Sequence, residues 1–228
     1  MQDQTNYLAP AAEASVEDRS RFIWRTYAHV TGAIFAFVGV VAYIIQAGMV
    51  EGLLRVMVNS PFIMLIGFVG GSWAARWVAH SAKSSAVQYA AMAALIVLYG
   101  AVFAPTIAIA NAYQPGVVDS AAGITLLGSV GLIVTAMLTR KDFSFLRGIA
   151  VWGSWIALTA IAASIFMGFE LGQWFAIAMI ALLGITILWQ TSNILHHYPT
   201  NMHVAASLEL FSSIVILFMW ILRFMSRE

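Results

Sequence analysis

The chain contains no cysteine, which excludes disulfide frameworks, thiolate-bound metals, iron–sulfur clusters and thiol nucleophiles together. It leaves little basis for redox chemistry and does not indicate the redox compartment. Charge is nearly as scarce: 9% of the 228 residues are Asp, Glu, Lys or Arg, where a water-soluble domain carries about a quarter. With 11 basic against 10 acidic residues, there is neither the basic footprint that binds nucleic acid nor an acidic tail. What fills the chain instead is apolar, 61% of it hydrophobic. A globule of that composition has too few polar groups to cover its outside in water, so its solvent is lipid.

Residues 1–20 are polar and acidic and lack the basic start and short apolar core of a secretory signal. They read as a cytoplasmic tail, with residues 21–228 forming the transmembrane domain. Seven apolar stretches follow, near 27–49, 61–79, 86–110, 121–139, 144–168, 174–195 and 202–224. Each is close to the ~20 residues that cross ~30 Å of hydrocarbon. Only helices and closed barrels satisfy every backbone group in lipid, and these runs are continuously apolar rather than alternating, so the expected fold is all-α, a polytopic seven-helix bundle. Its connections, such as Ser81 to Ser85 and Arg140 to Phe143, are too short for an extramembrane domain. Val50 to Ser60 is a candidate interfacial helix, and Pro105 a candidate kink.

Seven spans put the termini on opposite sides. Arg19, Arg21, Arg25, Arg76, Lys83, Arg140, Lys141 and Arg147 lie on the N-terminal side, against Arg55, Arg223 and Arg227 on the other. Basic residues collect in cytoplasmic loops, so the expected orientation is N-terminus inside, C-terminus in the periplasm. Small residues inside the spans (Gly67, Gly70, Gly71, Gly123, Gly128, Gly131, Gly153, Ser154) are expected to let helices approach closely. Trp24, Tyr27, Trp73, Trp77, Trp174 and Tyr198 fit interfacial belts.

An ionisable residue within a span is a functional candidate, because burying its charge costs at least a few kcal/mol. Glu209 lies seven residues past Met202, roughly 10 Å into the last span, with Ser212 and Ser213 at i+3 and i+4 as expected polar neighbours. Either it is a structural carboxylate meeting Arg25, Arg76 or Arg147, or it handles protons or cations. Thr186, Gln190, Asn193 and His197 share one helical face, either an inter-helix hydrogen-bond seam or the wall of a polar path. His196, His197 and His203 cluster at the inner mouth, with His80 on the same side. They are candidates for a pH-responsive loop; without a carboxylate in the loop, no metal or other cofactor is expected. A retinal protein is excluded, since the only lysines, Lys83 and Lys141, lie in loops. No inverted duplication points to a secondary transporter, and GxSxG, HExxH and paired intramembrane carboxylates are absent. No enzyme is expected.

At TRKDFSFL (Thr139 to Leu146) and QTSNILHHYPTN (Gln190 to Asn201) the chain resembles the Bax inhibitor-1 (TMBIM) family, and within it the bacterial YccA-type branch. The resemblance covers the whole seven-span layout. It implies a seven-helix bundle of the Bax inhibitor-1 type, with the seventh helix wrapped by the other six, in a bacterial inner membrane. It also implies one of two activities: a pH-sensitive leak of Ca²⁺ or other cations, or binding to and restraint of the membrane-anchored FtsH protease. Family members proposed as leak channels pair an acid late in the sixth span with one in the seventh. Here the first position falls on Gln190 and the second on or near Phe211 to Ser213, with Glu209 the only acid close by. Two close carboxylates share a proton because like charges raise one pKa, and an amide cannot take part. This departure favours a non-enzymatic membrane partner that modulates an FtsH-like protease or similar complex, through its tail and an exposed helix face. The cation leak, gated by Glu209, Gln190, Asn193, Ser212, Ser213 and Arg147, is the alternative, and an accessory subunit of a larger assembly a third.

Overall fold

A computed structural model describes residues 10–82, 84–139 and 141–226. Residues 1–9 of the tail, and Lys83, Arg140 and Arg227 of the charge tally, lie outside the described residues. The described chain is all-α: α1 (Val16–Gln46), α2 (Val50–Asn59), α3 (Pro61–Ser81), α4 (Ser85–Tyr113), α5 (Val117–Thr139), α6 (Leu146–Met167), α7 (Gln173–His196) and α8 (His203–Met225). All but α2 are long and apolar enough to cross a membrane. The expected seven spans are therefore present, and the protein is a polytopic helical membrane bundle.

The first helix begins before the apolar run at Tyr27. Ser15 caps it by accepting the backbone N–H of Asp18, and Glu17 and Asp18 complement the positive helix end. At ~1.5 Å per residue its 31 residues reach about 46 Å, more than the hydrocarbon needs, so the charged turns from Val16 to Arg25 extend beyond the core. Helix α2 has no buried residue and closes its own surface ion pair, Arg55 to Glu51 at 2.6 Å. It follows a turn at Gly48, whose φ of 70° favours glycine. Helix α4 is a single element through Pro105, which is buried within it.

Helix α8 is the axis. Fourteen of its residues are buried, and it packs against α1, α3, α4, α5 and α7. Helix α6 lies one layer out, against α7 and α3, so the expected wrapping by six helices is a shell of five with a sixth on the rim. Around the middle of α8 an aromatic cluster fills the core: Phe211 stacks on Tyr99 at 6.0 Å and meets Phe37 at 6.3 Å, while Tyr99 contacts Phe68 and Phe103. From Ile214 to Leu222 the axis is wholly apolar. The outside is apolar too, with Trp24, Trp73, Trp77 and Trp174 exposed, as lipid-facing or interfacial side chains should be. Two aromatics expected in the same belts are not there: Tyr198 is buried and Tyr27 half-buried.

The small-residue expectation divides. A Cβ at Gly71 would meet Leu98 at 2.7 Å and one at Gly153 would meet Leu182 at 2.5 Å, so these two do permit close packing. Gly67, Gly70, Gly123, Gly128 and Gly131 face open space; spacing alone did not separate helix faces that meet a neighbour from faces that do not. The tightest approach is one the pattern did not single out. At Gly100 a Cβ would lie 2.4 Å from Val40 Cγ1 and 3.2 Å from Val40 Cβ, a stiff branched side chain that has no rotamer to yield into. Gly100→Ala should therefore destabilise the bundle by about 1–3 kcal/mol, whereas Gly131→Ala should be neutral or slightly stabilising. Thermal unfolding of both variants in one detergent checks the contrast.

Candidate functional site

The ionisable residue on the axis, Glu209, does not rely on its own helix. Its Oε1 lies 3.1 Å from Nε2 of His80, which stands on the last turn of α3. Ser212, expected beside it, donates instead to the Leu208 carbonyl at 2.7 Å, and Ser213 is buried. The turn between α7 and α8 brings a third group, Tyr198, whose hydroxyl lies 2.9 Å from the same His80 nitrogen. The Glu209 side chain is 20% exposed and that of His80 35%, so the cluster opens at the N-terminal face of the bundle while its far side abuts the aromatic core.

The geometry determines who donates. His80 Nδ1 lies 2.8 Å from the Arg76 carbonyl, which can only accept, so Nδ1 carries a hydrogen. Nε2 then has two arrangements. Protonated, it donates to the Glu209 carboxylate. Neutral, it accepts, from the Tyr198 hydroxyl or from a protonated Glu209. Tyr198 stays in its protonated, donating form, because burial first and the Glu209 charge second hold its phenol well above the usual range. Arg76 acts on both neighbours through its charge, and its Nε is buried without a hydrogen-bond partner.

The turn that carries Tyr198 is itself tied down. The Ala11 N–H donates to the Tyr198 carbonyl at 2.8 Å, Pro10 pairs with Pro199 in an isolated bridge, and Ala11 is fully buried. Residues 10–15 therefore strap the mouth of the cluster.

The remaining candidates are dispersed. Gln190 is buried with its Oε1 unpartnered, and so is the neighbouring Thr191 hydroxyl, which faces Tyr27 without reaching hydrogen-bond geometry. Thr186 back-bonds to Leu182, and Asn193 receives the N–H groups of His197 and Tyr198 on its carbonyl. The expected seam along α7 is thus made by none of these side chains. Arg147 is exposed at the start of α6 and makes its backbone bond to Ser144. Of the three arginines proposed for Glu209, Arg76 is the one near its partners, since Arg25 stands by His203.

The three histidines divide: the rings of His196 and His197 lie 6.2 Å apart, while His203 turns to α1. His197 faces Asp142 at 3.7 Å, His196 Nδ1 bonds the Ser192 carbonyl, and His203 packs on His29 with ring centres 5.0 Å apart. Among the described residues no group of three or more His, Cys, Asp or Glu could hold a metal. The α5–α6 connection is anchored by Ser192, which accepts the Phe143 N–H at 2.9 Å. Sequence reasoning passed over Ser192 and filed Tyr198 as a belt residue. Both act across helices, where spacing along one chain segment is blind.

These features can be set beside known proteins. The family model described as inhibitor of apoptosis-promoting Bax1 matches residues 19–228, and the chain belongs to this Bax inhibitor-1/YccA-like family, which is not known for catalysis. An uncharacterized protein of Pseudomonas aeruginosa is 29% identical over 225 residues, 98% of this chain and 96% of that one. An uncharacterized membrane protein of Vibrio cholerae is 31% identical over 106 residues, 46% of this chain and 47% of that one. No solved structure matches.

Two outcomes follow. Replacing His80 by Leu leaves Glu209 with a partly buried charge and should cost about 1–2 kcal/mol, less than a fully buried pair because the cluster is partly open; unfolding of the purified variant measures it. In the α5–α6 connection, Ser144 donates its hydroxyl and its N–H to Asp142, and the Ser144 hydroxyl is the main reason this carboxyl sits below the usual range. A depressed folded-state pKa contributes stability above the unfolded value of about 3.9, lost as pH falls through the folded one. Asp142→Asn should accordingly lower the melting temperature slightly at neutral pH, and the difference should vanish in acid.

Proposed function

We propose that this chain is a non-enzymatic inner-membrane protein that binds and modulates a membrane quality-control protease of the FtsH kind or a similar membrane complex, with its N-terminus cytoplasmic. The observation that carries this reading is the strap. Ala11 is anchored to the turn bearing Tyr198, so the residues before Pro10 join the bundle on the face richer in Lys and Arg, where a cytoplasmic protease would engage them. The axis from Ile214 to Leu222 is apolar, which suits a body that docks sideways in the bilayer better than one that conducts. Gln190 in place of an acid supports the same reading, because an amide has no proton to share with Glu209. Lipid is the remaining contact of the apolar exterior.

The experiment is co-reconstitution with a purified FtsH-type protease and a membrane substrate. The intact chain should slow degradation of that substrate severalfold. Deleting residues 2–9 should slow the chain's own turnover without shifting its melting temperature, because the Ser15 cap and the Ala11 anchor survive. Unchanged proteolysis with the intact chain rejects the protease reading.

One observation favours a second reading, a pH-sensitive cation leak. His80 Nε2 and Glu209 Oε1 lie 3.1 Å apart at the end of the central helix, and unpartnered Gln190 and Thr191 oxygens lie on α7. In ion-loaded liposomes Glu209→Gln should then flatten the pH dependence of flux over about pH 5 to 8. An unaltered profile sinks the leak.

A further inference from the structure

Helices α1 and α4 run parallel and in register, and they are held at two levels. Near the N-terminal face, His29 Nε2 meets the Tyr89 hydroxyl at 2.8 Å. Eleven residues further along each helix, Val40 closes onto Gly100 at the tightest contact of the bundle. Between these levels the helices do not close: a groove of about 350 Å³ separates them, floored by Ala33 and Met92 and flanked by Gly32, Ala36, Ala93 and Ile96. Its lining beyond His29 and Tyr89 is apolar. From His29 to Ala36, as from Tyr89 to Ile96, it extends roughly 10 Å toward the bilayer centre.

One fixed cation, Arg25, stands a helical turn from the polar end of the groove. His29 is an ionisable residue in a membrane span, which is costly unless it has a use. Its Nδ1 is held on the Arg25 carbonyl at 2.6 Å, which turns Nε2 to Tyr89 at the groove's mouth. Arg25 is exposed and enters no ion pair among the described residues. It and His29 both lie close enough to His203 to act on it electrostatically, and the His29 and His203 rings are in contact. Because His203 is the first residue of α8, this group sits at the level of the lipid headgroups. Two imidazoles, a guanidinium and a phenol thus converge with no carboxylate among them. An apolar trough beginning under such a group matches the two halves of one molecule.

We propose that the groove between α1 and α4 holds an acyl chain of an anionic phospholipid, with its phosphate received by Arg25 beside the His29–Tyr89 pair. Arg25 supplies the charge, since a guanidinium suits a phosphate bidentately. The Tyr89 hydroxyl is spent on His29 Nε2, and His29 Nδ1 on the Arg25 carbonyl, so this pair forms the wall of the mouth and leaves the guanidinium as the donor. The apolar trough makes the lipid a retained ligand rather than one of the passing annulus. Gly32 is the residue that keeps the trough open: a Cβ built there meets nothing within 4 Å, so a larger side chain enters the groove without disturbing the protein.

The test is lipid binding to the full purified chain in detergent, with phosphatidylglycerol and phosphatidylcholine titrated separately and bound lipid counted by native mass spectrometry. One phosphatidylglycerol should be retained, preferred over phosphatidylcholine by about fivefold, as expected for one guanidinium at a headgroup. Gly32→Leu should abolish that retention while leaving every headgroup partner in place. Ala36→Leu, which fills the same groove from another position, carries the test if the first variant does not fold. Arg25→Gln with His29→Gln should instead erase the preference between the two lipids. Equal retention of both lipids by the native chain, or retention of phosphatidylglycerol undiminished by both groove-filling variants, overturns the proposal. Occupation of the groove by a co-purifying protein that excludes the lipid overturns it as well.

Discussion

A helix buried on nearly all sides in a membrane protein must have each of its polar groups answered by a neighbour, because neither lipid nor water will do it. Helix α8 is under that constraint, and the arrangement of the bundle follows from how it is met. Serines 207 and 212 return their hydroxyls to their own helix, and Ser207 also reaches the Thr26 carbonyl on α1. Glu209 has no such local solution, since a carboxylate cannot bond a carbonyl unless it is protonated. It is answered by His80 from α3 and by Tyr198 from the α7–α8 turn.

That solution has consequences at both ends of the helix. On the N-terminal side the need to hold Tyr198 explains why the turn at Pro199 is pinned by Pro10 and Ala11. A strap, a turn and two helices are thereby joined through one imidazole. On the other side Phe211, Tyr99 and Phe37 close the core by ring packing, and the axis is apolar from Ile214 to Leu222.

Much of this was legible beforehand. The seven spans were readable because each backbone group in lipid must be satisfied within its own helix, which makes length and apolarity a nearly sufficient signal. Glu209 was legible for the same reason, as a charge where charge is expensive. Its partners were not legible: His80 and Glu209 are separated by most of the chain, and the i+3 and i+4 neighbours that spacing suggested turned away. His29 was hidden by a different cause. It lies at the edge of a long apolar run, where one imidazole barely alters the composition of a window.

The sequence by itself determined the solvent, the number of spans and the family, because these depend on composition and on local runs that no neighbour can alter. Tertiary structure decided which glycines serve packing, which tyrosines leave the interfacial belt for the interior, and which partner completes Glu209. It also decided that α1 and α4 touch at Val40 and Gly100 yet stand apart at Gly32. Those outcomes depend on how helices rotate and settle against one another. In a bilayer that choice is made by shape and hydrogen bonding between helices, since lipid rewards burial of an apolar face no more than its exposure.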